Sequence, residues 1–340
     1  MEGTTLNIRT SRGKYKLLDP FINTAKYVRN SFRLLIDFRN DRIRFRRAAF
    51  GLNHNNDQVN LSARLGFHTH AIEKGLCNPN FRKGFGKRAL SGLTKAIFEY
   101  KNKGYPYSKR FLAAIEVLRQ YCIAHEYDRE YTGEIEKIVN LFQTEISDLG
   151  VGAADHTRDE ILQEVSLDFS HLASHRISVR DYAQDPVVKE DIFHALELAM
   201  KSPSVCNRQP WKVHLIEDEQ LLHQVMTAQG GFAGNGHNMQ LLLLVTVDLR
   251  YFSTSSERNQ GFVDGGIYLM SLVYALTYHK MATCILNADF PRKQEKKIRS
   301  LLDLDDSEVM IGFISVGRYP EHFKSPASIR DSYLDCLKIH

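Results

Sequence analysis

The run Leu241–Val247 (LLLLVTV) constrains the fold more than any other stretch of the chain. An extended segment turns successive side chains to opposite faces, so a run with almost no alternation presents apolar surface on both. Such a strand must be central and covered on both sides. Around it, helical and extended patterns intermix. Pro186–Lys201 carries Ile192, Leu196, Ala199 and Met200 on one side, and Glu217–Gln229, Gly261–Lys280 and Pro291–Leu302 also read as helices. Trp211–Ile216, Thr283–Leu286 and Val309–Val316 read as strands. The expected class is α+β (layered α/β), one sheet with helices on both faces.

The first half is different. Ser108–His125 places Phe111, Ile115, Leu118 and Cys122 at three- and four-residue spacing. Thr132–Leu149 does the same with Ile135, Ile138, Val139, Phe142 and Ile146, and Ser91–Lys103 is a shorter candidate. No strand is expected before residue 165. Gly150, Gly152 and the polar run Ala154–Asp159 read as a linker. The expected division is a helical domain over 1–150 and a second domain over 165–340.

With 340 residues, 43% apolar and 25% charged, the chain has the profile of a soluble globular protein. Its start lacks the apolar core of a secretory signal, and its five scattered cysteines form no CxxC pair, which fits a reducing cytoplasm. A net charge of +5 is too small to argue for nucleic acid. The stretch Lys26–Arg47 is more biased, with eight basic residues interleaved with Tyr27, Phe32, Phe38 and Phe45. It reads either as a helix lying on an anionic membrane surface or on RNA, or as one whose arginine stems cover its own domain.

Two stretches carry chemistry. In HRISVRDY, Arg176, Ser178 and Arg180 stand two apart, so an extended segment points two guanidinium groups and a hydroxyl to one side, a good anion site. In SPSVCNRQPW, Pro203 ends a helix, short polar side chains and backbone N–H groups follow, and Pro210 and the chain's single tryptophan, Trp211, stiffen the exit. A rigid polar turn of this kind can lie against the edge of a flat heterocycle, or serve as a connector only.

The combination RxSxR, helix, SPSxxNxQPW resembles the FMN-dependent nitroreductase family over roughly residues 170–340. The resemblance implies FMN as cofactor and NADH or NADPH as hydride donor to a small-molecule acceptor, in a homodimer. It implies that Arg176, Ser178 and Arg180 hold the FMN phosphate and ribityl chain. Pro203, Ser204, Asn207 and Gln209 would pack on the flavin of the other subunit, and the backbone of Thr283–Asn287, including Ile285, Leu286 and Asn287, would face the flavin edge. For the basic tail residue that the family sets on the phosphate, Arg330 is the first choice and Lys324 the second. Because these phosphate residues all follow residue 170, residues 1–150 are expected not to bind the phosphate and instead to shape the substrate entrance or tether the enzyme. No lid motif of the iodotyrosine deiodinase kind is found, which argues against dehalogenation.

FHTHAIEKGLCNPNFRKGFGKR in the first half resembles the leader of nitroreductase-like proteins encoded among bacterial polysaccharide genes. That resemblance leaves open a flavin oxidase or dehydrogenase acting on a sugar intermediate, or a non-catalytic flavin subunit. His68, His70 and Glu73 within it could ligate a metal, but His68 and His70, two apart on a helix, do not share a face, and no metal is expected. The Gly230–Met239 loop reads as a lid, and His237 or Tyr251 as a proton source. No GxSxG, HExxH or zinc constellation is present.

Overall fold

The computed structural model describes residues 19–48, 57–145, 150–231, 238–252 and 255–340. In chain order the elements are α1 (Asp19–Ala48), α2 (Gln58–Leu76), α3 (Lys87–Asn102), α4 (Lys109–Ala124), α5 (Arg129–Asn140), β1 (Ala153–Thr157), α6 (Arg158–Glu164) and α7 (Phe169–His175). There follow α8 (Lys189–Ala199), β2 (Trp211–Ile216), α9 (Glu219–Gln229), β3 (Leu241–Asp248), α10 (Gln260–Tyr278), β4 (Ala282–Leu286), α11 (Arg292–Leu302), β5 (Glu308–Gly317) and β6 (His322–Pro326).

The main sheet has four antiparallel strands in the order β2-β3-β5-β4. Every residue of β3 is buried, as its sequence requires. Its side chains divide by parity: Leu241, Leu243, Val245 and Val247 join the core under α8 and α10, while Leu242 and Leu244 join the core on the other face, with Val225 of α9 and Ile298 of α11. Helices therefore cover both faces. Close approach of α10 depends on Gly265, where a β-carbon would stand 2.6 Å from Ile311 and 2.9 Å from Val247.

Helices α2 to α5 enclose a core of their own, including Leu61, Leu65, Ile97, Phe111, Ile115, Leu118 and Ile138. The periodic residues expected of α4 are buried. Ser108 caps that helix by accepting from the Phe111 N–H at 3.3 Å, and Asp57 caps α2 by accepting from Asn60 N–H at 2.8 Å. The expected linker is in part regular structure. Residues 153–157 form strand β1, paired antiparallel with β6 in a separate two-stranded sheet. Gly150 and Gly152 do turn the chain, with φ of 60° and 101°. Yet the Gly152 N–H donates to the buried carboxylate of Glu73 on α2, 3.4 Å away. The helical half and the sheet half thus meet along α2, β1 and β6. Ile146 lies outside the described residues.

Candidate functional site

Arg176 caps the C-terminus of α7 and turns the chain into an extended run that lies beside β4. The Val179 N–H donates to the Thr283 carbonyl at 2.9 Å. Since the N–H and C=O of one strand residue point the same way and alternate along the strand, this fixes the outward set on β4. Thr283 and Ile285 turn their backbone groups away from β5, towards the Arg176–Arg180 segment. Within that segment Val179 is buried in the core, while Arg176, Ser178 and Arg180 are half-buried on the other side. Ile177 lines the same cavity as these three, so strict alternation is seen only at Val179.

Those three residues line a cavity of about 390 Å³ together with Ser174, Arg330 and His70. Three guanidinium groups, several hydroxyls and an imidazole converge there, and no carboxylate is among the lining side chains. This donor set fits a phosphate monoester. Arg330 is delivered by the tail, which α4 holds: Lys109 donates through Nζ to the Arg330 carbonyl at 2.9 Å, and Arg110 pairs with Asp331. That pairing pulls the Asp331 carboxyl below its usual range. Lys324, the second choice, lies elsewhere. It stands 3.7 Å from Asp155 and lines an adjoining cavity of about 750 Å³. Arg180 borders both spaces, and the larger one is walled by Lys74, Cys77 and Phe81 of the helical half together with His322 of β6.

His70 on α2 is also in the wall of the smaller cavity. Sequence reasoning set His70 beside His68 and Glu73 as a possible metal group. The structure separates them: a β-carbon at Gly92 would lie 2.3 Å from the His68 ring, so that ring packs on α3, while His70 Nδ1 sits 3.6 Å from Glu73 Oε2. Among the described residues, Asp191, His194 and His279 bring donor atoms within 4.8 Å of one another, but Asp191 already accepts from Arg318 at 3.2 Å.

The proline-serine loop lies away from this cavity, and none of its residues lines it. Its backbone is held tightly. Cys206, Asn207 and Gln209 have φ near +50°, a conformation that a non-glycine side chain resists and that the surroundings must hold. The Ser204 hydroxyl accepts from Gln209 N–H at 2.9 Å, and the buried Asp264 of α10 accepts from Val205 N–H at 3.3 Å. Trp211 stacks on Tyr268 of α10, ring centres 4.6 Å apart and 13° from parallel. With the chain so fixed, Pro203, Asn207 and Gln209 are turned to the exterior. On β4, Leu286 is buried in the core and Ile285 and Asn287 are exposed; the Asn287 side chain closes a local turn with Asp289.

Residues 173–318 match the model of the nitroreductase family. This part of the chain is a nitroreductase family domain. A curated relative, an iodotyrosine deiodinase from Thermotoga neapolitana, is 37% identical over 54 residues, which is 16% of this chain and 29% of that protein. Among solved structures, a nitroreductase family protein of Clostridium difficile 630 is 22% identical, with a TM-score of 0.43 and coverage of 51% of this chain and 98% of the other. An FMN-dependent nitroreductase of Clostridium difficile R20291 is 21% identical, with a TM-score of 0.40 and coverage of 48% and 92%.

The nitroreductase domain starts just before Arg176 and ends before the tail that carries Arg330, so the anion cavity extends beyond the matched residues. The thiols near the cavities are held protonated. Burial pushes the Cys77 thiol up to about 12 and raises that of Cys284 as well. His237 and residues 232–237 of the expected lid lie outside the described residues, and Tyr251 is exposed. No helix among the described residues is long and apolar enough to cross a membrane.

Proposed function

We propose that the protein is an FMN-dependent oxidoreductase in which NADH or NADPH supplies a hydride and a small organic acceptor receives it. The observation that carries this reading is the carboxylate-free cavity lined by Arg176, Ser178, Arg180 and Arg330, inside and next to a nitroreductase family domain. Bound FMN would supply two-electron hydride chemistry at its ring. The chain's own residues bind and orient. Arg176, Ser178 and Arg330 would hold the phosphate, and Arg180, at the border of the two cavities, would neutralise charge farther along the ligand. The outward backbone N–H of Ile285 would donate to the ring edge. The larger cavity, walled by Lys74, Cys77 and Phe81, would admit donor and acceptor in turn, giving the helical half a part in shaping the entrance.

The reading includes a homodimer. Two observations support it: Pro203, Asn207 and Gln209 point outward from a rigid loop, away from the anion cavity of their own chain. In addition, α10 leaves Phe262, Val263 and Ile267 exposed on one side. A second copy would cover that side and bring the loop to a flavin held by its neighbour. The expected location is the cytoplasm.

The purified protein should be yellow, release FMN and not FAD on heating, and bleach under anaerobic conditions on addition of NADH or NADPH. A colourless protein that cannot be reconstituted with FMN sinks the proposal. Retained FMN that neither donor reduces removes the hydride-donor part of it.

A further inference from the structure

We propose that helix α2 completes the anion cavity, with His70 acting as a phosphate-binding residue supplied by the helical half. The inference rests on the reading of that cavity as the FMN phosphate site, and it adds a residue that lies outside the nitroreductase family domain.

His70 lines the 390 Å³ cavity together with Arg176, Ser178, Arg180 and Arg330. It also lines a second space of about 240 Å³, between α2, α4 and the tail, with Thr69, Glu73 and Arg110. The ring is oriented from behind. Its Nδ1 lies 3.6 Å from Glu73 Oε2, and Glu73 is only 3% exposed. A carboxylate so deeply buried is costly unless it is paired and hydrogen-bonded. His70 and the Gly152 N–H, at 3.4 Å, both turn towards it. With one ring nitrogen directed at the carboxylate, the other is left to meet a ligand. The Thr69 hydroxyl, buried in the wall of the smaller space, has no hydrogen-bond partner among the described residues.

Lys74 is one turn farther along the helix. It lines the larger cavity beside Arg180, and burial, with Arg180 second, lowers its pKa. Asp155, Glu160 and Asp181 line that cavity as well, so Lys74 stands among carboxylates and outside the phosphate cavity. From α4, Lys109 and Arg110 fix the stretch of tail that carries Arg330. The charged groups around His70 are therefore Glu73 from its own helix, Arg110 from α4, Arg176 and Arg180 from beside β4, and Arg330 from the tail. Cations dominate this set, and Asp331 engages Arg110.

The test is titration of the full-length apoprotein with FMN and with riboflavin, which lacks the phosphate, followed by quenching of flavin fluorescence. Wild type, His70→Gln and His70→Ala are compared, with thermal melts by circular dichroism as a check on folding. Loss of one charged contact to phosphate should raise the Kd for FMN by about ten- to a hundredfold and leave riboflavin binding unchanged. Inorganic phosphate should also compete with FMN less well in the variants. If folded variants keep the wild-type ratio of FMN to riboflavin affinity, α2 takes no part in phosphate binding and the inference is overturned, while the flavin site itself stands. Should His70→Ala fail to fold, His70→Gln decides the matter. A wild type that binds riboflavin as tightly as FMN would overturn the phosphate reading of the cavity, and this inference with it.

Discussion

The Val179 N–H donates to the Thr283 carbonyl at 2.9 Å, and through that bond the Arg176–Arg180 segment is laid along the edge strand of the main sheet. The bond sets the register in which Val179 goes into the core and Arg176, Ser178 and Arg180 face the cavity. The expected consequence is a site whose charged residues rest on a rigid support and whose loss affects binding more than folding. Arg176→Ala should weaken FMN binding by about 1.5–3 kcal/mol, the range of a charge-assisted hydrogen bond. The thermal midpoint of the apoprotein should hardly move. A variant with unchanged FMN affinity would remove Arg176 from the phosphate site.

The tail clamp gives a second prediction. Arg110 on α4 grips Asp331 through Nε at 3.1 and 2.9 Å to the two carboxylate oxygens, next to Arg330 in sequence. Arg110→Ala should release the tail and lower FMN affinity several-fold. Asp331→Ala should do the same, and the double variant should be no worse than either single one, because both remove one interaction. Additive losses would show that the two residues act separately.

Much of this was legible in the sequence, and the failures have physical causes. The run Leu241–Val247 announced a two-faced central strand because no other placement buries so many consecutive apolar residues. Arg176, Ser178 and Arg180 announced a cavity because period two is a property of any extended chain. Strand β1 was not legible. Its residues AADHT have almost no apolar alternation, and its partner β6 lies far along the chain, so pairing depends on non-local contacts. The place of His70 in the cavity wall was hidden for the same reason. Its neighbours in space come from the segment beside β4 and from the tail, and only the string HTHAIE hinted that the histidine was not an ordinary surface residue.

Trp211 anchors the proline-serine loop to α10 through its stack on Tyr268 and through Nε1, which donates to Met200 Sδ at 3.4 Å. Trp211→Ala should cost about 3–5 kcal/mol of stability, as expected for loss of a large buried side chain. Trp211→Phe keeps an aromatic ring against Tyr268 and should recover much of that loss. Urea unfolding of the two variants beside wild type measures both. Equal destabilisation by Ala and Phe would mean that the stack does not hold the loop.

Acid sensitivity should arise in part at Asp248, the buried last residue of β3. The Arg250 guanidinium foremost, then its backbone N–H, holds the Asp248 carboxyl below its usual range against the opposing effect of burial. A carboxyl depressed in the folded state binds protons more readily in the unfolded chain. Its contribution is therefore complete above the unfolded value of about 4 and is lost as pH falls below it. Asp248→Asn should be less stable than wild type at pH 7, and the gap should narrow between about pH 4 and pH 2. A gap that stays constant with pH would exclude Asp248 as a source of the acid limb.

Helix α1 is the remaining surface with a sharp expectation. Tyr27, Val28, Phe32, Leu35 and Phe38 are all more than half exposed. At 100° per residue these five fall on one side of the helix, with Lys26, Arg29 and Arg33 opposite in its first half, while Arg39 and Arg42 farther along fall on the apolar side. The alternative reading, arginine stems covering the protein's own domain, leaves these apolar groups unexplained, since they are open to solvent. An apolar side with a basic side opposite suits a helix lying in the interface of an anionic membrane, and that is the contact expected. Full-length protein should co-sediment with vesicles containing phosphatidylserine and much less with neutral ones. Binding should weaken as salt rises, because surface charges are screened over about 8 Å at physiological ionic strength. Phe32→Ser with Leu35→Ser should reduce binding at every salt concentration, since it removes the apolar part of the attraction and leaves the charge. Vesicle binding that ignores both salt and this double substitution would place the contact elsewhere, and no binding at all would leave α1 to some other surface.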